Sequence, residues 1–256
     1  MTTSGDPFDL AGHVALVTGG SSGLGRRIGL ALARAGAAVV LVARRAELLE
    51  EASGEIEAVG ARAACLVADV GDTSAIDGMA EDAARPFGAP DILVNAAGVN
   101  LRQPPAEVTI DSWNRTLSLN LTAPFFLARA LLPGMKARRW GKIVNLASLQ
   151  SCRAFANGIA YGASKGGIVQ LTRAMAEAWS RFGITCNALA PGFFPTELTA
   201  PLFGDPATLE KLAAQTAIGR NGELSDIDGP AVFLAAPASD YITGQVIFVD
   251  GGFTAK

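Results

Sequence analysis

This chain of 256 residues contains two tyrosines, and one of them, Tyr161, is followed four positions later by Lys165. Residues four apart on a helix share a face, so a phenol and an ammonium there can serve one pocket. A free phenol titrates near ~10, whereas a general base works best near ~7. Bringing it there takes ~4 kcal/mol of preferential stabilisation of the phenolate. A nearby ammonium, together with a cationic cofactor ring in a partly desolvated site, can supply that. Ser148 follows the apolar run Lys142–Leu146 and so stands at a strand's carboxyl end, where its hydroxyl can donate to a carbonyl or alcohol oxygen. The chain has one histidine, His13, near its beginning. A zinc site built on two or three histidines is excluded, a catalytic triad would rest on His13 alone, and no metal site is expected.

A second group of residues points to phosphate. Thr18-Gly19-Gly20-Ser21-Ser22-Gly23-Leu24-Gly25 lies between an apolar run and an amphipathic stretch. Glycines let the backbone turn sharply against a pyrophosphate, and the following helix offers free N–H groups. A merely structural corner reads the same way when taken alone. The next apolar run, Ala38–Ala43, leads into Arg44 and Arg45, where a site for an unphosphorylated ribose usually carries Asp or Glu. An arginine fork matches a 2′-phosphate, so NADP(H) is expected over NAD(H), which the same site would take second. The bland alternative is that both arginines only solvate a helix start.

The elements that must position these residues follow from the pattern. Nearly continuous apolar runs occur at His13–Thr18, Ala38–Ala43, Arg62–Val67, Ile92–Asn95, Lys142–Leu146, Thr185–Ala190 and Val246–Val249. Such runs mark parallel strands covered on both faces. Helical stretches alternate with them at Arg26–Ala35, Ala46–Val59, Ala75–Phe87, Ile110–Arg138 and Ala160–Arg181. The expectation is one α/β domain over residues 1–256, a doubly wound seven-stranded parallel sheet with ligands beyond the strands' carboxyl ends. The net charge is −3, and the basic residues are dispersed, which gives no footprint for nucleic acid. No apolar run approaches the ~18–20 residues of a membrane span, and Met1–Asp6 lacks the order of a leader peptide. Cys65, Cys152 and Cys186 read as reduced packing residues of a cytoplasmic protein.

With the glycine turn followed by Ser148, Tyr161 and Lys165, the chain resembles the short-chain dehydrogenase/reductase family from about Leu10 to Gly252. The resemblance implies a Rossmann-type fold and hydride transfer between a nicotinamide and a carbonyl or secondary alcohol. The family's glycine motif falls on Thr18, Gly19, Gly23 and Gly25, with Ser21, Ser22 and Leu24 in the same turn. Its adenine-binding Asp falls on Asp69, next to Val70. Its Asn-Ala-(Ala)-Gly segment falls on Asn95, Ala96, Ala97 and Gly98. Pro191, Gly192 and Thr196 take the positions near the nicotinamide. In similar enzymes Ser148 and Tyr161 hold the reacting oxygen, and Lys165 lowers the Tyr161 pKa and binds the ribose. Asn120 holds a water that links Lys165 to solvent. Similar proteins form homotetramers.

Within that family the look is nearest to gluconate 5-dehydrogenase-type reductases. Arg102 could meet a substrate carboxylate or be an exposed loop arginine. Gln150, Arg153 and Asn157 suit a polyol, while Cys152, Phe155, Phe193, Phe194, Leu198 and Leu202 could wall a bulkier ketone. Residues 193–215 are expected to form a lid. The competing readings are a 3-oxoacyl-carrier-protein reductase, recognising its acidic carrier through Lys136, Arg138, Arg139 and Arg173, a bulky-ketone reductase, and an idle nucleotide-binding scaffold.

Overall fold

Seven strands form one sheet in a computed structural model that describes residues 5–256. They are β1 (Val14–Thr18), β2 (Ala38–Ala43), β3 (Ala63–Val67), β4 (Ile92–Asn95), β5 (Gly141–Leu146), β6 (Ile184–Pro191) and β7 (Val246–Val249). Their order is β3-β2-β1-β4-β5-β6-β7, and every neighbouring pair is parallel. The order reverses between β1 and β4, where Thr18 lies opposite Asn95. A crevice opens at such a reversal because the two flanking connections leave toward opposite faces. Part of the leader reading, Met1–Ser4, lies outside the described residues.

Successive strand residues face opposite sides, and both sides are covered. Ala15 and Val17 of β1 join Val39 and Leu41 of β2 in one core, under α1 (Gly23–Arg34), α2 (Ala46–Ala58) and, later in the chain, α9 (Asp228–Ala235). Val14, Leu16, Val40 and Val42 join the other core, under α3 (Ile76–Ala84), α5 (Ala123–Arg138) and α6 (Ile159–Trp179). Apolar side chains at every strand position therefore leave water, which is why the runs read as continuous rather than alternating. The sheet's edges depart from that pattern. Cys65 of β3 is exposed and Val67 is 56% exposed, since β3 has no strand beyond it. Cys152 is exposed too, and of the three cysteines only Cys186 is buried, so the packing reading holds for Cys186 alone.

The stretch expected as one helix from Ile110 to Arg138 is two. After α4 (Ile110–Leu117) the turn Ser118–Thr122 widens, and the Ala123 N–H reaches back five residues to the Ser118 carbonyl. Pro124 has no N–H to continue the regular ladder, and Asn120 sits at the centre of the widened turn. His13, at the amino end of the first strand, is half-buried. Its ring stacks on Trp140 with centroids 4.0 Å apart, and Nδ1 lies 3.0 Å from the Asp91 carboxylate, which also takes Arg138 at 2.7 Å. An aromatic neighbour and a buried carboxylate, both distant in sequence, draw it in at the amino end of β1.

Candidate active site

The glycine turn is as tight as backbone alone permits. Gly19 has φ +68°, and a Cβ there would lie 2.9 Å from the Ala97 nitrogen. A Cβ on Gly25 would lie 2.3 Å from the Gly19 carbonyl oxygen. Helix α1 starts at Gly23 with no side chain capping it: Ser22 is extended and its hydroxyl makes no capping bond. Free N–H groups of a first turn, on glycines that clear the space above them, fit a pyrophosphate.

Thr18 and Asn95, expected to touch the cofactor, instead hold the segments that would. The Thr18 hydroxyl accepts from the N–H of Ala96 and of Ala97, both at 3.1 Å, and donates to the Val94 carbonyl at 3.4 Å. Asn95 Nδ2 donates to Asn145 Oδ1 at 2.8 Å. Both residues are almost fully buried because they pair across the sheet rather than toward the crevice.

A cavity of about 750 Å³ runs over the carboxyl ends of the strands. One end is lined by Gly19, Ser21, Ser22, Gly23, Leu24 and Gly25 with Arg44, Arg45, Asp69 and Val70. Ala96 and Gly98 lie along its floor, and Ser148, Tyr161, Lys165, Pro191, Gly192 and Thr196 line the other end. Arg102, Gln150, Phe155, Phe193 and Phe194 complete it, while Cys152, Arg153 and Asn157 do not reach it. Cys152 turns to the Leu149 carbonyl, and Arg153 lies over the Phe253 ring. Phe194 is 2% exposed and belongs to the core. Its ring lies so near Gly222 that a Cβ there would be 2.9 Å away. Within the stretch expected as a lid, residues 193–215, lie the turn Glu197–Thr199, α7 (Ala200–Phe203) and α8 (Pro206–Gln215), and Leu198, Leu202 and Leu212 line the cavity.

Tyr161 and Lys165 lie one turn apart on α6 and are nearly buried. Lys165 Nζ donates to the Leu146 carbonyl at 2.5 Å and lies 5.5 Å from the Tyr161 ring centroid. Burial pulls the Lys165 pKa down to about 8. Burial also pushes the Tyr161 hydroxyl up, against the expected lowering. The groups that oppose this are the hydrogen bond with Ser148 and the positive charge of Arg102, not Lys165. Lys165 has turned its ammonium onto the strand end instead.

Asn120 lies beneath this group and outside the cavity lining. Its Oδ1 accepts from the Val99 N–H at 2.9 Å, and Nδ2 donates to the Val99 carbonyl at 2.9 Å and to Ser164 Oγ at 3.0 Å. Both amide hydrogens are used, so only a lone pair on Oδ1 remains for the expected proton relay. Sequence reasoning missed two hydroxyls that position the site. Ser164 donates to the Tyr161 carbonyl at 2.7 Å, and Ser151 donates to the Lys165 carbonyl at 2.7 Å while accepting from the Ser148 N–H at 3.2 Å. Ser151 thus ties the Ser148 loop to α6. Its place three residues after a strand-end serine was the available signal, as a capping pattern.

A glycine turn at a sheet's switch point, facing a phenol and a hydroxyl across one crevice, defines a dinucleotide-dependent oxidoreductase. Comparison with known proteins narrows this. A family model described as enoyl-(acyl carrier protein) reductase matches residues 19–254. Gluconate 5-dehydrogenase of Gluconobacter oxydans is 44% identical over 252 residues, 98% of each chain. Galactitol 2-dehydrogenase (L-tagatose-forming) of Cereibacter sphaeroides is 40% identical, over 96% of this chain and 97% of its own. A crystal structure of a gluconate 5-dehydrogenase from Burkholderia cenocepacia, in complex with NADP and tartrate, matches with a TM-score of 0.93 at 39% identity, over 98% of each chain. The chain belongs to the short-chain dehydrogenase/reductase family and is an oxidoreductase acting on CH–OH groups.

Proposed function

We propose that this enzyme interconverts a ketone and a secondary alcohol on a sugar acid or related polyol, with NADP(H) preferred and NAD(H) taken second. The observation that carries the substrate class is Arg102. It lines the cavity from a backbone at φ +50°, a conformation that costs a non-glycine residue free energy, and its charge acts at Tyr161. A guanidinium held there at such a cost suits a carboxylate at the far end of a short polar substrate. The activities for which the gluconate and galactitol relatives are named support this reading. Of the four basic residues that would meet an acidic carrier, three already have partners within the chain: Arg138 with Asp91, Lys136 on the Phe182 ring, and Arg173 with Gln170.

The Gly19–Gly25 turn and the start of α1 would hold the pyrophosphate, Arg44 and Arg45 the 2′-phosphate, Asp69 and Val70 the adenine, and Lys165 and Thr196 the nicotinamide end. The bound cofactor supplies or accepts the hydride. In oxidation Tyr161, as phenolate, takes the alcohol proton; in reduction its hydroxyl returns one to the forming alkoxide. Ser148 donates a hydrogen bond to the same oxygen. Lys165 carries its charge below about pH 8 and orients the cofactor ribose. Asn120 keeps the Val99 backbone and α6 in register around them.

A substrate panel tests the reading: 5-ketogluconate and gluconate, an acetoacetyl thioester, and a bulky aryl ketone, each with the wild type and Tyr161→Phe. Turnover should favour the sugar acids. Tyr161→Phe should lower kcat by about 10²–10⁴-fold with cofactor affinity retained. A preference for the thioester or the aryl ketone overturns the substrate class. Near-normal turnover by Tyr161→Phe overturns the acid–base role.

The same reading makes the chain one domain with residues 193–215 as its lid, working as a cytoplasmic homotetramer with neither nucleic acid nor membrane as partner. Among the described residues no helix is long and apolar enough to cross a membrane. Ile159 at the start of α6 and Phe248 on the edge strand β7 are exposed apolar residues that subunit contacts would cover.

A further inference from the structure

Arg45, which precedes α2 at the carboxyl end of β2, does not stand free beside the cavity. Its Nη2 donates to Glu197 Oε2 at 2.8 Å and to Ser22 Oγ at 3.1 Å. Ser22 belongs to the glycine turn, and Glu197 opens the turn at the base of the lid, 152 residues away in sequence. One guanidinium therefore joins the end of β2, the phosphate-binding turn and the lid. Its neighbour Arg44 meets Asp69 at a looser 3.7 Å. The Arg45 and Glu197 side chains are 50% and 60% exposed, so their pair is weak and can be exchanged for another partner.

A carboxylate and a phosphate monoester present similar oxygens to a guanidinium. We propose that Glu197 is a cofactor-specificity residue, an internal competitor that occupies Arg45 where a cofactor 2′-phosphate would bind. A phosphorylated cofactor must take Arg45 from Glu197, whereas an unphosphorylated one leaves the pair intact. The exchange reaches the substrate end of the site through the lid. The residue after Glu197 is Leu198, whose carbonyl accepts from Arg102 Nη2 at 3.2 Å. Releasing Glu197 thus frees the turn that holds the substrate-side arginine. The inference rests on the assignment of Arg45 to the 2′-phosphate.

The test is fluorescence titration of NADPH and NADH into the wild type, Glu197→Gln and Arg45→Met, with amide hydrogen exchange followed over residues 195–203. Removing the competitor, and with it the repulsion between carboxylate and phosphate, should tighten NADPH by about 2–5-fold and leave NADH within about twofold. NADPH, but not NADH, should speed exchange in that segment of the wild type. Arg45→Met should lose most of its NADPH preference. An Arg45→Met protein that keeps the preference refutes the 2′-phosphate assignment and the competition with it. If Arg45→Met loses the preference but Glu197→Gln shifts both cofactors alike, or weakens NADPH, only the competition is refuted.

Discussion

Tyr161 is poised between burial, which favours its neutral phenol, and two groups that favour the phenolate, Ser148 and Arg102. Arg102 therefore acts electrostatically on Tyr161 as well as lining the cavity where a carboxylate is proposed to bind. Oxidation needs the phenolate, so kcat/KM should rise with pH along a limb set by Tyr161 in the free enzyme. Arg102 holds that limb toward lower pH. In Arg102→Met the limb should move to higher pH, while KM for a carboxylated substrate rises about tenfold or more, as expected for loss of a charge-assisted pair. A limb that stays in place or moves toward acid contradicts the assignment. Tyr161, Ser148 and Lys165 were readable because each sits in a local pattern: an i, i+4 pair and a strand end. The action of Arg102 on Tyr161 was not, since it depends on how the loop after β4 folds back. The burial of His13 was hidden for the same reason, its partners Asp91 and Trp140 being brought in by other strands.

At the scale of the elements, the central strands were legible because helices strip water from both faces of each. The edge strand β3 was legible as a strand, but not its partial exposure: its sequence is apolar, yet Cys65 and Val67 are exposed at the sheet's edge. The break at Asn120 within the long helix was signalled only by Pro124, which a regular helix also accepts near its start. Among the buried polar residues of the strands, one carries a charge. Lys142 of β5 is 1% exposed, its Nζ bonded to Asp240 at 2.7 Å and placed over the Trp140 ring. Burial pulls its pKa down while Asp240 pushes it back up. Asp240→Asn would leave a buried ammonium with poor compensation and should cost about 1–2 kcal/mol near neutral pH, discounted because Asp240 is more than half exposed. Lys142→Met removes the charge itself and should cost less. The folded pKa lies below the unfolded one, so the protonated form is what the fold disfavours. The Asp240→Asn deficit should accordingly shrink as pH rises through the Lys142 titration. Thermal unfolding of both variants from pH 7 to 10 checks this, and an Asp240→Asn protein as stable as Lys142→Met throughout would count against it.

Over the whole molecule, strand–helix alternation made a parallel sheet legible, but which strands meet, and that the lid reaches the glycine turn, depends on contacts between distant segments. The same holds for assembly. Light scattering after size exclusion should give the mass of four chains, and Phe248→Lys should lower it if β7 lies in a subunit contact; a monomeric wild type excludes the tetramer. The Thr18 hydroxyl sits where the two halves of the sheet part, and it receives two N–H groups from the segment that follows β4 across the divide. That single oxygen ties the strand leading into the glycine turn to the Ala96–Ala97 segment along the cavity floor. The proposed lid, which follows β6 and is fastened partly by the exposed Arg45–Glu197 pair, is outside that join. Variation can therefore accumulate in the lid and alter which alcohols are accepted, while the alignment needed for the chemistry is passed on unchanged.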